Sequence, residues 1–284
     1  MAAELLESAS FVERLYERLA QRLQRLMAEH QPPSLALVEL GTTAGSRAGS
    51  LLSRAAHLGI RTQHYRFAAR GAEREVRATL EYLVSSDRFH GFLVQPPVTE
   101  ELESMLAAQP GLARRDLDGV HPLNLGQRPP LAGLACLKLL ESQGHGVAGR
   151  RVVVLGRSPW LAQPLALLLL AHDATVTICH EMTRDLSRHT RQAEILIAAT
   201  GVVGLVRASM VCPSTLVLDL GSYVRGGEFR EGDVDLDAVR LIAQAVTPCP
   251  DGLEPLIDCL RLAQVVTAWE HQLPVKKKTG KIRR

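Results

Sequence analysis

Two carboxylates, a histidine and a proline lie together in a segment that has neither helical nor strand periodicity, RRDLDGVHPLNLG at residues 114–126. Side chains of these types can accept hydrogen bonds or exchange protons, so the loop is a candidate for contact with a ligand. The alternative is that Asp116 and Asp118 only fix a tight turn before Pro122. His121 is interpreted as a loop histidine bonded to the backbone rather than as a catalyst.

A second candidate is the turn within GRRVVVLGRSPWLAQPLALLLLAHDATVTICHE, residues 149–181. Four apolar residues lead into Gly156, a short polar turn follows, and an apolar helix and a further strand ending at His180 complete a βαβ unit. Such a turn presents backbone N–H groups and the positive end of a helix dipole to a phosphate. Only one glycine occupies the turn, so the pattern leaves nucleotide binding and a plain doubly wound sheet equally open.

The elements that must position these loops alternate between helix and strand. A first amphipathic helix is predicted from apolar residues at three- and four-residue steps, namely Phe11, Leu15, Leu19, Leu23 and Leu26. Further strands are predicted at 35–40, 62–67, 91–95, 194–198, 215–219 and 242–246, and helices at 47–60, 72–85, 99–108, 131–143 and 253–272. This alternation predicts an α/β fold with parallel strands and crossover helices, in which two α/β domains flank a ligand cleft.

Length and composition are those of an ordinary globular protein. The chain has 284 residues, of which 46% are hydrophobic and 22% charged, enough for two modest domains. A formal net charge of +3 argues against nucleic acid as the main partner. The exception is the tail VKKKTGKIRR, interpreted as a solvated basic end; a contact to an acidic protein or to nucleic acid is the alternative.

The cysteines show neither a CxxC pair nor metal-ligand spacing, which predicts reduced thiols and no metal site. The sequence contains no 18-residue apolar run and no secretory signal at its charged start, so no membrane partner is expected. A cytoplasmic location is therefore the default expectation, with a mitochondrial one as the alternative.

The order of the motifs resembles the methylenetetrahydrofolate dehydrogenase/cyclohydrolase family. The similarity is carried by VQPPVTEELESMLAAQPGLARRDLDGVHPLNLG, VVVLGRSPWLAQPLALLL, VTICHEMT, LVLDLGSY, GDVD and VTPCPDGLEPL, in the family's own order over roughly residues 10–272. The resemblance implies a folate-type domain over 1–145 completed by the helix 253–272, a Rossmann-like NAD(P)-binding domain over 146–252, and a basic tail over 273–284. It also implies a homodimer formed through the second domain.

Substrate contacts follow from the same resemblance. Asp118 matches the aspartate expected to accept hydrogen bonds from the pteridine ring, because a carboxylate can accept from two adjacent N–H groups at once. Gln95 matches the glutamine that assists the family's catalytic lysine, and Pro255 closes the segment DGLEP that lies beside folate and cofactor. Asp251 and Glu254 replace glycines there, which is expected to weaken ligand binding.

The family's catalytic lysine and folate-stacking tyrosine have no counterpart in GTTAGSRAGSLLSRAAHLGI, residues 41–60. Alignment on Gly41 and Ser46 puts Gly49 at the tyrosine position and Ser53 at the lysine position. Alignment on Gly59 instead puts Leu51 near the lysine position. The cations there are Arg47 and Arg54. Arginine cannot relay a proton as a lysine tuned by burial can, so cyclohydrolase activity by the usual mechanism is not expected.

The cofactor turn matches the family better. The resemblance assigns NAD or NADP contacts to residues at the ends of the second-domain strands, namely Gly156, Arg157, Ser158, Glu181, Thr200 and Gly201. Glu181 and Met182 replace the serine and the base that favour a 2′-phosphate, and an acid 25 positions after Gly156 (181 − 156) favours NAD. Arg157 has the opposite effect, because a cation there would favour a phosphate. The alternative for Glu181 is that it is a surface glutamate that binds nothing.

Two hypotheses follow. In the first, the protein is a pseudoenzyme that keeps the fold and has a binding, regulatory or assembly role. In the second, it is an active NAD(P)-dependent dehydrogenase of a folate-type substrate that has lost the cyclohydrolase step, since hydride transfer needs orientation more than a base.

Overall fold

A computed structural model describes residues 2–41, 48–68, 71–95, 99–221, 223–225 and 229–273. Arg47, the Pro-Pro turn after Gln95 and the basic tail from residue 274 onward lie outside the described residues, so the predictions made for them stay predictions.

The first half of the chain forms a three-stranded parallel sheet with its helices. In chain order its elements are β1 (Glu4–Leu5), α1 (Ala9–Met27), β2 (Ser34–Leu40), α2 (Ala48–His57), β3 (Arg61–Phe67), α3 (Glu73–Ser85), β4 (Gly91–Gln95), α4 (Glu100–Ala107) and α5 (Leu131–Ser142). The sheet order is β3-β2-β4, with both pairs parallel. The register places Glu39 beside Gln95 at the carboxyl end of the sheet.

Local signals fix the ends of these helices. Thr99 Oγ1 accepts a hydrogen bond from Leu102 N at 3.2 Å, and three glutamates in the first turn complement the helix dipole of α4. Helix α2 ends where Gly59 adopts φ +74°, a conformation that favours glycine. These boundaries place the carboxyl ends of β2 and β4 on the side where a ligand cleft can form.

The second half forms a larger sheet. Its elements are β5 (Arg151–Leu155), α6 (Ala162–Ala171), β6 (Thr175–Cys179), α7 (Leu186–Thr190), β7 (Ile195–Ala198), β8 (Leu216–Asp219), β9 (Tyr223–Arg225), β10 (Phe229–Glu231), α8 (Leu236–Val239), β11 (Ala245–Val246) and α9 (Glu254–Gln272). Strands β9 and β10 form a separate antiparallel hairpin. The six-stranded sheet has the order β1-β11-β8-β7-β5-β6, and its pairs are parallel.

Helices α5 and α9 connect the two sheets. Helix α9 packs against α1, β2 and α5, and α5 also packs against α6 of the second half. One continuous hydrophobic cluster therefore includes Leu37 under the first sheet, Val154 in the second and Trp269 on α9. Burial of these side chains, worth about 25 cal/mol per Å² of apolar surface, holds the cleft walls in a fixed relation.

The predicted α/β fold with parallel sheets is confirmed, and most predicted elements lie within a residue or two of their observed bounds. The strand predicted at 242–246 contains only Ala245 and Val246, because the chain forms turns before them and exposes Ile242. Strand β1 was not predicted; it joins the edge of the second sheet, although the resemblance assigns residues 1–145 to the first domain. On α1 the most buried side chains are Val12, Tyr16, Leu19 and Leu23.

All five cysteines are free, and Cys136, Cys179 and Cys259 are buried. Burial raises the pKa of Cys136 and of Cys259 to about 12, so both thiols stay protonated near neutral pH. Among the described helices, none combines the length and the apolar character that a membrane crossing requires.

Candidate functional site

A cavity of about 240 Å³ lies between the two sheets, beside the carboxyl ends of their strands. Its walls are mostly apolar, with a few carboxylates, a serine and one arginine among the described lining residues: Phe92, Val94, Glu103, Asp116, Asp118, Val120, Ala132, Ser158, Trp160, Leu161, Leu220, Ile257 and Arg261. An apolar cavity with a few convergent polar groups at this edge of an α/β sheet is the expected place for a ligand. The structure thus brings together Asp118 and Ser158, which were predicted from separate motifs.

Asp116 organises the loop that carries Asp118. Its carboxylate accepts hydrogen bonds from Gly119 N at 3.1 Å, His121 N at 2.8 Å and Asn124 Nδ2 at 2.9 Å. Burial raises the pKa of Asp116, although the hydrogen bonds from His121 and Asn124 oppose that shift. Asp116 therefore has the turn-fixing role that was the alternative interpretation of this segment. His121 contacts the backbone as expected, because its Nδ1 accepts a hydrogen bond from Leu123 N at 3.2 Å.

Asp118 does not fix the turn; it faces α9. Its two carboxylate oxygens accept from one guanidinium, Arg261 Nε at 2.8 Å and Arg261 Nη2 at 3.1 Å. The side chains are 16% and 9% exposed, respectively, so the pair is largely removed from water. This bidentate geometry is the strongest form of an arginine–carboxylate pair.

Arg261 keeps its charge in this setting. Burial opposes the charged form, but Asp118, Asp258 and Glu254 outweigh it and raise the pKa of Arg261 above its ordinary value. Asp258 Oδ1 lies 3.6 Å from Arg261 Nη1, one helical turn away on α9. Arg261 was not among the residues predicted for the site. The sequence does contain a sign of it. Asp258 and Arg261 are three residues apart on a helix face whose other buried residues are apolar, and buried charges in such a place are usually paired.

The other substrate-contact residues predicted from the resemblance lie elsewhere. Gln95 is buried at the end of β4, and its Oε1 has no hydrogen-bond partner among the described residues. Pro255 is half-buried in the first turn of α9, and Asp251 is exposed just before that helix. None of these three lines the described walls of the cavity.

Helix α2 carries no substitute for the missing lysine. Gly49 and Ser53 lie on its exposed face, and Leu51 is buried in the core. Arg54 turns toward α1, where its Nη1 lies 3.3 Å from Glu13 Oε1 and its guanidinium carbon 4.6 Å from the centre of the Tyr16 ring. The sequence has no lysine among residues 1–137, so no lysine of the first sheet or of helices α1 to α4 can take the role.

The turn after β5 is tightly built. Gly156 has φ +127°, and a Cβ placed on it would lie 2.2 Å from the carbonyl oxygen of Ala199. Only glycine fits here, because the backbones of two neighbouring strand ends approach each other at this point. Ser158 Oγ then accepts a hydrogen bond from Trp160 N at 3.1 Å, and Trp160 packs across the cleft onto the hydrophobic cluster around Phe92.

Arg157 and Glu181 form an ion pair between the turn and the end of β6. Their side chains are 61% and 60% exposed, so the pair contributes little to stability. Its consequence is electrostatic, because the carboxylate offsets the charge of the arginine that would meet a phosphate. The two residues predicted to compete over cofactor choice are therefore in direct contact.

Thr200 and Gly201 follow β7 at the same sheet edge. The backbone N–H and the hydroxyl of Thr200 both donate to Asp233 Oδ2, and Gly201 adopts φ +81°. Asp219, at the end of β8, accepts from the backbone N–H groups of Gly221, Asp233 and Val234. Burial raises the pKa of Asp219 to about 7 despite these bonds. These carboxylates hold the rim of the proposed cofactor site in place.

The residues of this rim fit a dinucleotide. The close approach of the Ala199 backbone to Gly156 fixes the turn, and the turn leads into α6, so a phosphate would meet backbone N–H groups at a helix start. Glu181, at the end of the next strand, stands where a ribose acid is placed in such folds.

Comparison with known families agrees with this geometry. The model of the tetrahydrofolate dehydrogenase/cyclohydrolase catalytic domain matches residues 6–118. The model of the NAD(P)-binding domain of the same family matches residues 130–273. The two matches cover most of the chain and divide it between the two sheets.

Relatives and solved structures are similar over nearly the full length. A bifunctional FolD protein of Chloroflexus aurantiacus is 34% identical over 285 residues, covering 97% of this chain and 100% of that protein. One from Verminephrobacter eiseniae is 33% identical, with coverages of 95% and 98%. The crystal structure of the Campylobacter jejuni FolD enzyme has a TM-score of 0.84 at 29% identity, covering 96% of this chain and 100% of that one. The Trypanosoma brucei enzyme, solved with NADP and an inhibitor, has a TM-score of 0.84 at 25% identity, with coverages of 95% and 98%.

Proposed function

Because this chain belongs to the tetrahydrofolate dehydrogenase/cyclohydrolase family, we propose that it is a dinucleotide-binding member that no longer catalyses the family's folate reactions. The observation that carries the proposal is the missing proton relay. Residues 1–137 contain no lysine, and Arg54 is held against Glu13 and Tyr16 on α1. A permanently charged guanidinium in that position cannot accept and return a proton.

Dinucleotide binding is supported by the second half of the molecule. Gly156, Ser158 and the start of α6 would hold the pyrophosphate, and Thr200 and Gly201 would border the nicotinamide side. A nicotinamide dinucleotide, when bound, supplies a hydride acceptor. The chain's own contribution is to bind and orient it, and Trp160 and Leu161 line the adjacent cavity.

NAD is the proposed cofactor. Glu181 can accept hydrogen bonds from ribose hydroxyls, whereas a 2′-phosphate would be repelled by the carboxylate. The Arg157–Glu181 ion pair supports this choice, because Arg157 is no longer an isolated cation available for that phosphate.

A titration tests this proposal. The wild-type protein is expected to bind NAD more tightly than NADP, and Glu181→Ser is expected to shift the NAD-to-NADP affinity ratio toward NADP by about tenfold or more. Calorimetric titration of both cofactors gives the ratio. Glu194→Ser is the matched control, since Glu194 is a surface glutamate that also faces an arginine, Arg151 at 3.6 Å. Equal ratios for the two variants would contradict the assignment of Glu181.

One observation favours a second candidate, an active NAD-dependent dehydrogenase acting on a methylenetetrahydrofolate. Asp118 and Ser158 line one cavity, so a folate ring on Asp118 would lie next to the cofactor turn. Hydride transfer in such a site depends on orientation and not on a lysine. Turnover measured with cofactor and folate together separates the two candidates.

A homodimer through the second domain is part of the proposal. Strand β6 is an edge of the six-stranded sheet, with Ile178 exposed, and Leu167 and Leu170 are exposed on the neighbouring helix α6. Apolar side chains beside an open strand edge are typical of a surface that pairs with another chain. Light scattering distinguishes a dimer from a 31.0 kDa monomer.

A cytoplasmic location is proposed on the reduced cysteines alone.

A further inference from the structure

The contact between Asp118 and Arg261 has the geometry of a ligand complex made within one chain. A guanidinium presents two parallel N–H groups on a planar N–C–N edge, and here both point at the two oxygens of one carboxylate, at 2.8 and 3.1 Å. The pair lines the wall of the cleft cavity and is not part of the surrounding core. An arginine pair of this kind is a recognition geometry as much as a stabilising one.

The same carboxylate would recognise any ligand with that edge. Amidines and cyclic guanidines, including the 2-amino-4-oxopyrimidine ring of a pterin, donate two adjacent N–H groups in one plane. The apolar cavity walls at Phe92, Trp160 and Ile257 suit the flat faces of such a ring. A neutral ring without the amino group would leave one carboxylate oxygen unpaired.

The resemblance already makes Asp118 the expected acceptor for a pteridine ring; we infer that Arg261 is a built-in competitor for that carboxylate, holding the place that a planar cyclic guanidine would take. Arg261 occupies both acceptors of Asp118, so a ligand binds only if it displaces the guanidinium or if Arg261 is absent. The inference rests on the proposed function, because it explains why a folate site that keeps its aspartate does not serve catalysis. It makes Arg261 the residue that determines whether this site accepts a pterin.

Arg261 is itself held in place for this role. Asp258, three residues earlier on α9, lies 3.6 Å from the Nη1 that Asp118 does not use. The guanidinium is therefore flanked by two carboxylates within a buried helix face, and its release requires a ligand that satisfies Asp118 equally well. An incoming ring that offers only one N–H group does not meet that requirement.

The test compares pterin with lumazine, a pteridine that carries an oxo group in place of the 2-amino group. In fluorescence titrations, Arg261→Ala is expected to bind pterin at least about tenfold more tightly than the wild type does, and more tightly than it binds lumazine. Arg22→Ala is the matched control. Arg22 makes a bidentate pair with Glu270 on the same helix α9 but outside the cavity, so its removal is expected to leave pterin affinity unchanged.

Two further measurements keep the inference falsifiable. Arg261→Lys retains a positive charge beside Asp118 and Asp258 but lacks the planar fork, so it is expected to fold and to bind pterin more tightly than the wild type; it decides the question if Arg261→Ala does not fold. Methylguanidine is expected to raise the unfolding midpoint of Arg261→Ala and not of the wild type.

The inference is overturned if folded Arg261→Ala or Arg261→Lys binds pterin no better than the wild type, or binds pterin and lumazine equally. NAD affinity is measured on the same samples and reports on the proposed function separately. Loss of NAD binding with intact pterin discrimination would contradict the proposed function alone, and intact NAD binding without discrimination would contradict this inference alone.

Discussion

Gly156→Val is expected to weaken dinucleotide binding by about a hundredfold or more. A Cβ at this position would lie 2.2 Å from the carbonyl oxygen of Ala199, and the backbone has φ +127°, which a valine rarely adopts. Either the turn moves away from β7 or the strand ends separate, and in both cases the N–H groups that would meet a phosphate are displaced. The strain is also expected to lower the free energy of unfolding by about 2–4 kcal/mol.

Gly146→Val is the matched control for this variant. Gly146 precedes β5, its φ is not positive, and a Cβ there would meet no heavy atom within 4 Å. Calorimetric titration with NAD and chemical denaturation are done on both variants. NAD affinity in folded Gly156→Val equal to that of Gly146→Val would show that the turn is not the phosphate site.

Asp116→Ala is expected to lower the free energy of unfolding by about 2–4 kcal/mol. Three donors lose their acceptor at once, Gly119 N, His121 N and Asn124 Nδ2, all in buried positions. Removing the carboxylate also removes its own cost of burial, which is the effect that raises the pKa of Asp116. That gain offsets part of the loss, which is why the expected change is below the sum of three charged hydrogen bonds.

The same loop supplies Asp118 and Val120 to the cavity, so Asp116→Ala is also expected to disorder one wall of the site. Denaturation in urea measures the stability. Asp87→Ala is the control, because Asp87 is a fully exposed aspartate with one ion pair to Arg115, and its removal is expected to change stability by less than about 1 kcal/mol. Equal midpoints for the two variants would mean that the loop does not depend on the Asp116 carboxylate.

Much of the fold could be predicted from the sequence because its elements have strong local signals. The apolar run at 91–95 is the strand Gly91–Gln95, and the periodic segment at 72–85 is the helix Glu73–Ser85. The missed elements have short or ambiguous patterns. Strand β1 has two residues in a charged segment, and its position depends on pairing with β11, more than 200 residues away.

The candidate site was predictable only in part. Ser158 and Asp118 follow from motifs that each lie within a few residues, and both line the cavity. The partner of Asp118 is 143 residues away on α9, and no local pattern says which carboxylate a buried arginine will meet. The direction of Arg54 toward Glu13 and Tyr16 is equally a matter of how α1 packs on α2. The chemistry of this site depends on side-chain pairs between residues far apart in the sequence. Such pairs form only when the chain folds.

The chain keeps the architecture of its family, and we propose that it uses its two halves differently. In the second half, the proposed cofactor site rests on the turn at Gly156 and on Glu181, which forms an ion pair with Arg157. In the proposed folate site Asp118 is paired with Arg261, and residues 1–137 contain no lysine that could move a proton. Binding of NAD and absence of folate turnover are thus expected together.

The most direct test is the rate of NAD reduction by the wild-type protein in the presence of 5,10-methylenetetrahydrofolate, followed by the absorbance of the reduced nicotinamide. Both substrates are used at concentrations that saturate related enzymes. A parallel assay replaces NAD with NADP. For a chain that has lost the folate reactions, we expect a rate no greater than that of the solution without protein. A rate that rises in proportion to protein concentration and disappears in Asp118→Asn would contradict this expectation and would establish the dehydrogenase instead.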